Sequence, residues 1–259
     1  MRIAIFNQKG GVGKTTTTLN LGAALKRAGM PPLMLDLDPQ GHLSSIHGNA
    51  PNEANRSLFA FYQDLSPLNA LEIAWDDIGH LIPAHQQLIK VDSIFGKGPA
   101  ILNKLKGGLD VLESSGSNRP VLIDCCPYIG VLALNAIFAC DCLIIPVSTD
   151  YLSLQAADHI TRTLQVLEPV LKRRIERRYL LTRFDRRRRM SDDVRSKLRE
   201  RYGDEVMDTV ISENVTVAES PSLNRDVFRH NPNSSGAHDY YALLRELIER
   251  GDIKEPQTA

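Results

Sequence analysis

No apolar run in the 259-residue sequence approaches the roughly 20 residues an α-helix needs to cross a bilayer, so no membrane span is expected. Net charge is missing too. The 31 Lys and Arg balance 31 Asp and Glu, so bulk charge selects neither a polyanion nor an anionic membrane. Cysteine is scarce: Cys125, Cys126, Cys140 and Cys142 all lie in apolar, strand-like stretches, two of them adjacent. Adjacent cysteines do not readily bridge each other, the spacing fits no common zinc pattern, and no histidine lies close by. Buried, reduced thiols of a cytosolic protein are the expectation. The N-terminus enters an apolar segment at once, which predicts no cleavable signal peptide. The polar C-terminal stretch has no basic amphipathic face for a membrane surface.

What is present reads as α/β. Residues 2–7, 33–37, 121–125, 143–147 and 179–184 are short apolar runs without alternation, expected as buried strands. A strand near 80–83 and a last one over 206–211 are also expected. Helices are expected after the glycine loop at 8–14 (Leu21, Leu25 and Ala28 on one face), around 58–64, over 98–113, 131–139 and 152–171, after Ser191 as N-cap, and over 236–250. Buried strands each followed by a helix imply a doubly wound, mostly parallel sheet with helices on both faces. Ligands of such sheets bind beyond the carboxyl ends of the strands, so the loops after Asn7, Leu37, Ile123, Val147 and Phe184 are expected to meet at one site. No linker marks a second domain, and residues 1–259 are read as one.

The strongest local signal is Lys9-Gly10-Gly11-Val12-Gly13-Lys14-Thr15-Thr16. Three glycines let backbone N–H groups turn inward around phosphate oxygens, and the following helix offers its positive end to the same anion. Lys14 is placed to bridge the β- and γ-phosphates of a nucleotide, and Thr15 to put its hydroxyl on Mg²⁺. An ordinary P-loop has glycine where this chain has Gln8, and the extra Lys9 makes the motif a deviant Walker A. The alternative, a glycine turn joining strand to helix, does not account for the length of the match.

Two acids follow strand ends. In Leu35-Asp36-Leu37-Asp38-Pro39, the alternate spacing points both carboxyls one way, and Asp38 is placed to reach the phosphates. Asp124 closes the run VLID, as a Walker B acid does, to hold Mg²⁺ through water. Charge is also uneven: residues 172–189 hold ten Lys/Arg against two Asp/Glu. Such a run is either a polyanion surface or a solvated face, and Arg177 and Arg178, just before a strand, could simply pair with acids.

Taken together, MRIAIFNQKGGVGKTTTTLNLGAAL, LMLDLDPQGHLSS, VLIDCCPYIGVLALNAIFACDCLIIPVSTDYLSLQA and LLTRFDRRRRMSDDV resemble successive blocks of the ParA family of partitioning ATPases, and the likeness spans nearly the whole chain. The resemblance implies ATP and Mg²⁺ as cofactors, with Lys9, Lys14 and Asp38 as catalytic residues, Lys9 to Thr16 as the nucleotide loop, and Thr15, Asp38 and Asp124 around the metal. Lys9 is the signature lysine, which in relatives crosses a sandwich dimer to the partner's nucleotide. It implies an ATP-dependent homodimer that binds non-specific double-stranded DNA through Arg183 and Arg186, Arg187, Arg188 and Arg189. Slow hydrolysis stimulated by a ParB-like or other adaptor would follow, in a cytoplasmic, nucleoid-associated protein. A MinD-like membrane switch or a metabolic ATPase of the same superfamily are the rival readings; the first lacks its C-terminal amphipathic helix here. Two departures stand out. Cys126 replaces a proline of the family's D-C-P-P or D-T-P-P, and Glu213 and Thr216 occupy positions that are commonly Arg.

Overall fold

In the computed structural model, residues 1–95 and 99–254 are described. Eight strands form one sheet: β1 (Arg2–Ile5), β2 (Leu33–Asp36), β3 (Ile73–Trp75), β4 (Gly79–Ile82), β5 (Val121–Asp124), β6 (Cys142–Ser148), β7 (Glu176–Phe184) and β8 (Val206–Ser212). Their order is β3-β4-β2-β5-β1-β6-β7-β8, and every pairing is parallel except β3 with β4. The doubly wound, mostly parallel sheet is therefore as expected. β3, an antiparallel edge strand, carries no sequence pattern that announces it.

Successive side chains of a strand point to opposite faces, and here both faces are buried. Ala4 and Phe6, Leu33 and Leu35, and Val121 and Ile123 belong to one apolar core. Ile3 and Ile5, Met34 and Leu122 belong to the other. This two-sided burial is why the strands read as continuous apolar runs.

The helices are α1 (Lys14–Arg27), α2 (His42–His47), α3 (Leu58–Tyr62), α4 (Val91–Phe95), α5 (Pro99–Leu102), α6 (Lys104–Ser114), α7 (Val131–Ala139), α8 (Tyr151–Leu171), α9 (Arg189–Tyr202), α10 (Val215–Glu219), α11 (Val227–His230) and α12 (Ser235–Glu249). Apolar residues of α6, α7, α8 and α9 enter the first core; those of α1, α2, α11 and α12 enter the second. α1 buries Leu19, Leu21 and Leu25 completely, so each truncation to Ala there costs about 2–5 kcal/mol.

Several boundaries differ from expectation. The helix expected over 98–113 is two pieces, α5 and α6, separated at Asn103, and residue 98 lies outside the described residues. Ser191 does not cap α9. The chain turns earlier, with Arg188 N donating to Asp185 O, so Ser191 falls inside the first turn, buried, and its Oγ has no partner among the described residues. β2 stops at Asp36, so Asp38 lies beyond the strand and not on it. The edge strand β8 is closed by α12: the Glu246 carboxylate accepts from Asp208 N and Thr209 N, each at 2.7 Å, and Asp239 Oδ2 from Ser212 N at 2.8 Å. Occupied N–H groups cannot recruit a foreign strand.

Candidate functional site

The carboxyl ends of β1, β2, β5, β6 and β7 lie at one edge of the sheet, since all five run parallel. The loop of residues 6–13 joins β1 to α1 at that edge. Gly11 (φ 72°) and Gly13 (φ 92°) take left-handed backbone conformations that a side chain would strain. Three contacts set the loop's shape. Asn7 Nδ2 donates to Pro146 O at 2.7 Å, Asn7 Oδ1 accepts from Lys9 N at 2.9 Å, and Thr182 Oγ1 donates to Val12 O at 2.8 Å. The loop is thus pinned to β6 and β7 by side chains of the protein itself.

Lys14 is buried, with Nζ 3.2 Å from Lys9 O. Burial lowers its pKa, opposed by Asp124 and Asp38. Anionic phosphates would favour the charged form that burial penalises. Asp124 is buried opposite Asp36, its register partner across the β2–β5 pairing. Burial raises the pKa of Asp124, Asp36 adds to the rise, and the Thr15 hydroxyl and Lys14 oppose it. Thr18 Oγ1 reaches Asp124 Oδ1 at 3.4 Å, while Asp124 Oδ2 is buried with no hydrogen-bond partner among the described residues. An orphaned carboxylate oxygen beside a threonine hydroxyl at a helix N-terminus fits a hydrated hard cation, which takes oxygen donors and keeps its waters. Thr15, Asp124 and Lys14 are brought together at this edge.

Asp38 lies just past β2, 7% exposed, with Oδ1 accepting from Gln40 N at 2.9 Å. Asp36 holds it in place. Its Oδ1 accepts from Asp38 N, and its Oδ2 accepts from both Ser44 N and Ser44 Oγ. Burial raises the Asp36 pKa, and the bonds from Ser44 limit the rise. Asp36 and Asp38 thus have separate tasks, which spacing alone does not show.

Lys9 does not point to open solvent. Its Nζ lies 2.6 Å from both Asp150 oxygens and 2.9 Å from Ser153 Oγ. Asp150 also caps α8 by accepting from Ser153 N. Asp150 was not among the expected site residues, although an acid between a strand end and a helix start is a cap signal.

In the segment 125–130, Cys126 Sγ donates to Tyr128 O at 3.6 Å, a weak bond inside the turn. Burial pushes the Cys126 thiol up to about 12, so it stays protonated. The other cysteines are buried and free, and among the described residues no group of three or more His, Cys, Asp and Glu side chains is placed to hold a metal ion. Asp92 Oδ1 accepts from Val131 N at 2.5 Å, fixing the start of α7.

A cavity of about 340 Å³ opens beside the loop, lined by Gly11, Gly13 and Thr16 on one side and by Thr182, Ser212, Asn214 and Tyr240 on the other. It continues directly from the phosphate loop, and its volume suits a nucleoside. The arginine run borders it. Arg183, one residue before the end of β7, takes a left-handed conformation (φ 52°), Arg186 to Arg188 form the following turn, and Arg189 opens α9; all five are exposed. Arg187 and Arg188 lie 3.0 and 3.3 Å from Asp185, and Arg183 and Arg188 lie 3.4 and 3.5 Å from Glu213. Arg186 and Arg189 have no ion-pair partner among the described residues. Arg177 and Arg178 are structural: Arg177 pairs with Glu168, and Arg178 with Asp252 at 2.6 Å.

Comparisons with known proteins agree with this geometry. A family model described as an AAA domain matches residues 1–177. The chain is 34% identical over 259 residues to a chromosome partitioning protein ParA of Caulobacter vibrioides, covering 99% of this chain and 97% of that one. It is 36% identical over 250 residues to the chromosome-partitioning ATPase Soj of Thermus thermophilus, covering 96% of each. A crystal structure of cobyrinic acid a,c-diamide synthase from Mycobacterium smegmatis, with an ATP analogue and magnesium bound, superposes with a TM-score of 0.83 at 27% identity, covering 100% of this chain and 99% of that one.

Proposed function

Because the chain belongs to the ParA/Soj family of partitioning ATPases, we propose that it is an ATP-switched, DNA-binding positioning ATPase, with residues 1–259 acting as one unit. The observation that carries this reading is the prebuilt phosphate loop joined to a nucleoside-sized cavity that an exposed arginine run borders. ATP lies with its phosphates on Gly10 to Thr16 and its nucleoside in the cavity between Gly11 and Tyr240. Mg²⁺, when bound, screens the phosphate charge. Thr15 and Asp124 would hold it, with Asp38 nearby. Lys14 neutralises the β- and γ-phosphates, and Asp38, steadied by Asp36, orients the attacking water.

Two protomers close over two nucleotides. Lys9 leaves Asp150 and contacts the partner's phosphates. Closure doubles the arginine surface, so that phosphate contacts too weak for one protomer act together. Arginine contacts to phosphate position a protein without reading bases, so binding is independent of sequence. Turnover is slow by itself and is stimulated by a ParB-like or other adaptor; hydrolysis reopens the dimer. The DNA-bound form is associated with the nucleoid.

Among the described residues no helix is long and apolar enough to cross a membrane. The synthase likeness supports a second reading, a ligase that activates a carboxylate with ATP. Sedimentation with a non-hydrolysable ATP analogue and Mg²⁺ tests the first. A dimer is expected for the wild type and not for Lys9→Ala. Monomers in both would contradict the switch, and carboxylate-dependent ATP consumption would favour the ligase.

A further inference from the structure

Glu213 is an acid set beside the arginine run, and its surroundings give it a use. It follows β8 directly, and its backbone N donates to Phe184 O at 3.0 Å, which fixes it beside the end of β7. Two cavities share it. One is the 340 Å³ nucleoside cavity. The other, about 430 Å³, lies among the arginines and is lined by Asp185, Arg186, Arg187, Ser212 and Asp239 as well. Its carboxylate engages an arginine with each oxygen: Oε1 pairs with Arg183, which lines the nucleoside cavity as well, and Oε2 with Arg188. Arg183 itself is held in its left-handed conformation with its carbonyl accepting from Thr149 Oγ1 at 2.9 Å.

We propose that Glu213 couples the nucleotide cavity to the arginine surface, holding Arg183 and Arg188 down when the cavity is empty and yielding them to nucleic-acid phosphates when it is filled. The inference rests on the reading of the protein as a nucleotide-switched DNA binder. A carboxylate that lines the nucleoside cavity competes for two sets of donors: the guanidinium groups of Arg183 and Arg188, and the ribose hydroxyls or base amine of a nucleotide. Satisfying the nucleotide's donors weakens its hold on the two arginines. The pairs are loose and 38% or more exposed on each side, so they break at little cost, as a switch requires. Asp185 plays a different part. Two Arg187 bonds and the Arg187 backbone N–H hold its carboxyl down to about 2, and it shapes the turn without touching the nucleotide cavity.

The test is binding of random-sequence duplex DNA by wild type and Glu213→Gln, without nucleotide and with a non-hydrolysable ATP analogue plus Mg²⁺, across a salt series. Glutamine keeps the shape and one acceptor oxygen but removes the charge, which weakens the hold on both guanidinium groups. Nucleotide-free affinity is expected to rise about three- to tenfold, the gain of freeing two exposed pairs. The log–log salt slope is expected to steepen by about 1–2, since each new phosphate contact adds roughly 0.9. The ratio of affinities with and without nucleotide shrinks accordingly. Introduced into an Arg188→Gln background, Glu213→Gln is expected to give a smaller gain, because one of the two held cations is already gone. Nucleotide-dependent DNA binding in the wild type with an unchanged ratio in Glu213→Gln would overturn the coupling and leave the DNA-binding reading standing. DNA binding by neither protein in any state would overturn both.

Discussion

Replacing Asp150 by Asn separates two tasks of one residue. The carboxylate holds Lys9 Nζ at 2.6 Å through both oxygens, and it caps α8 through Ser153 N. Asparagine caps a helix about as well as aspartate, so fold stability is expected to change little. The ion pair is lost. Its groups are 27% and 48% exposed, and an exposed pair is worth at most about 1 kcal/mol. That bounds the effect at about fivefold for each freed lysine, and a symmetric dimer uses two, which gives at most about 25-fold in the dimer dissociation constant. The assay is sedimentation velocity with a non-hydrolysable ATP analogue and Mg²⁺ over a concentration series, with thermal melting as the control. Tighter dimerisation at unchanged Tm is the expected result. Equal or weaker dimerisation at unchanged Tm would refute the idea that Asp150 restrains Lys9 against a contact made across the dimer.

Other predictions concern single groups. Lys14→Ala removes charge-assisted contacts to two phosphates, each worth about 1.5–3 kcal/mol, so ATP affinity measured by calorimetry is expected to fall at least 100-fold or so; unchanged affinity would displace Lys14 from the site. Asp38→Ala is expected to lower single-turnover hydrolysis by about 10²–10⁴ while ATP binding persists, and unaltered turnover would deny it a place beside the attacking water. Exchanging Arg186, Arg187, Arg188 and Arg189 for Glu is expected to abolish DNA binding and spare the ATP-dependent dimer; undiminished binding would put the DNA surface elsewhere.

Glu246 makes a stability prediction. Burial acts to raise its pKa, but the Thr209 and Asp208 N–H groups and Arg250 outweigh that and hold it below the usual carboxylate range. A folded-state pKa below the unfolded value gives stability that is present above about 4.3 and lost as pH falls through the folded value. Glu246→Gln is therefore expected to lower Tm near neutral pH, with the difference shrinking below about pH 4. A difference that stays constant with pH would assign the effect to shape rather than charge.

The central strands were legible because a strand buried on both faces cannot alternate, and β1, β2, β5 and β6 show unbroken apolar runs. The phosphate loop was legible because its glycines are required by backbone geometry. Partners distant in sequence were not. Asp150 meets Lys9 from 141 residues away, and Glu213 meets Arg183 from 30. Nothing local to either residue announces the other. β3 was missed because its three residues carry no period, and the start of α9 was misplaced because the turn at Asp185 does what a capping serine would have done. The arginine run divided only in three dimensions: Arg177 and Arg178 are tied to acids beneath them, while Arg186 and Arg189 remain unpaired among the described residues.

The nucleotide-gated DNA switch is probed most directly by binding of random-sequence duplex DNA without nucleotide, with ADP, and with ATP and Mg²⁺, across a salt series. Strong binding is expected only with ATP and Mg²⁺, weakening with salt at a log–log slope of about −0.9 per phosphate contacted. ATP-driven dimers that bind no DNA in any state would refute the switch and leave the arginine run a solvated or protein-binding face.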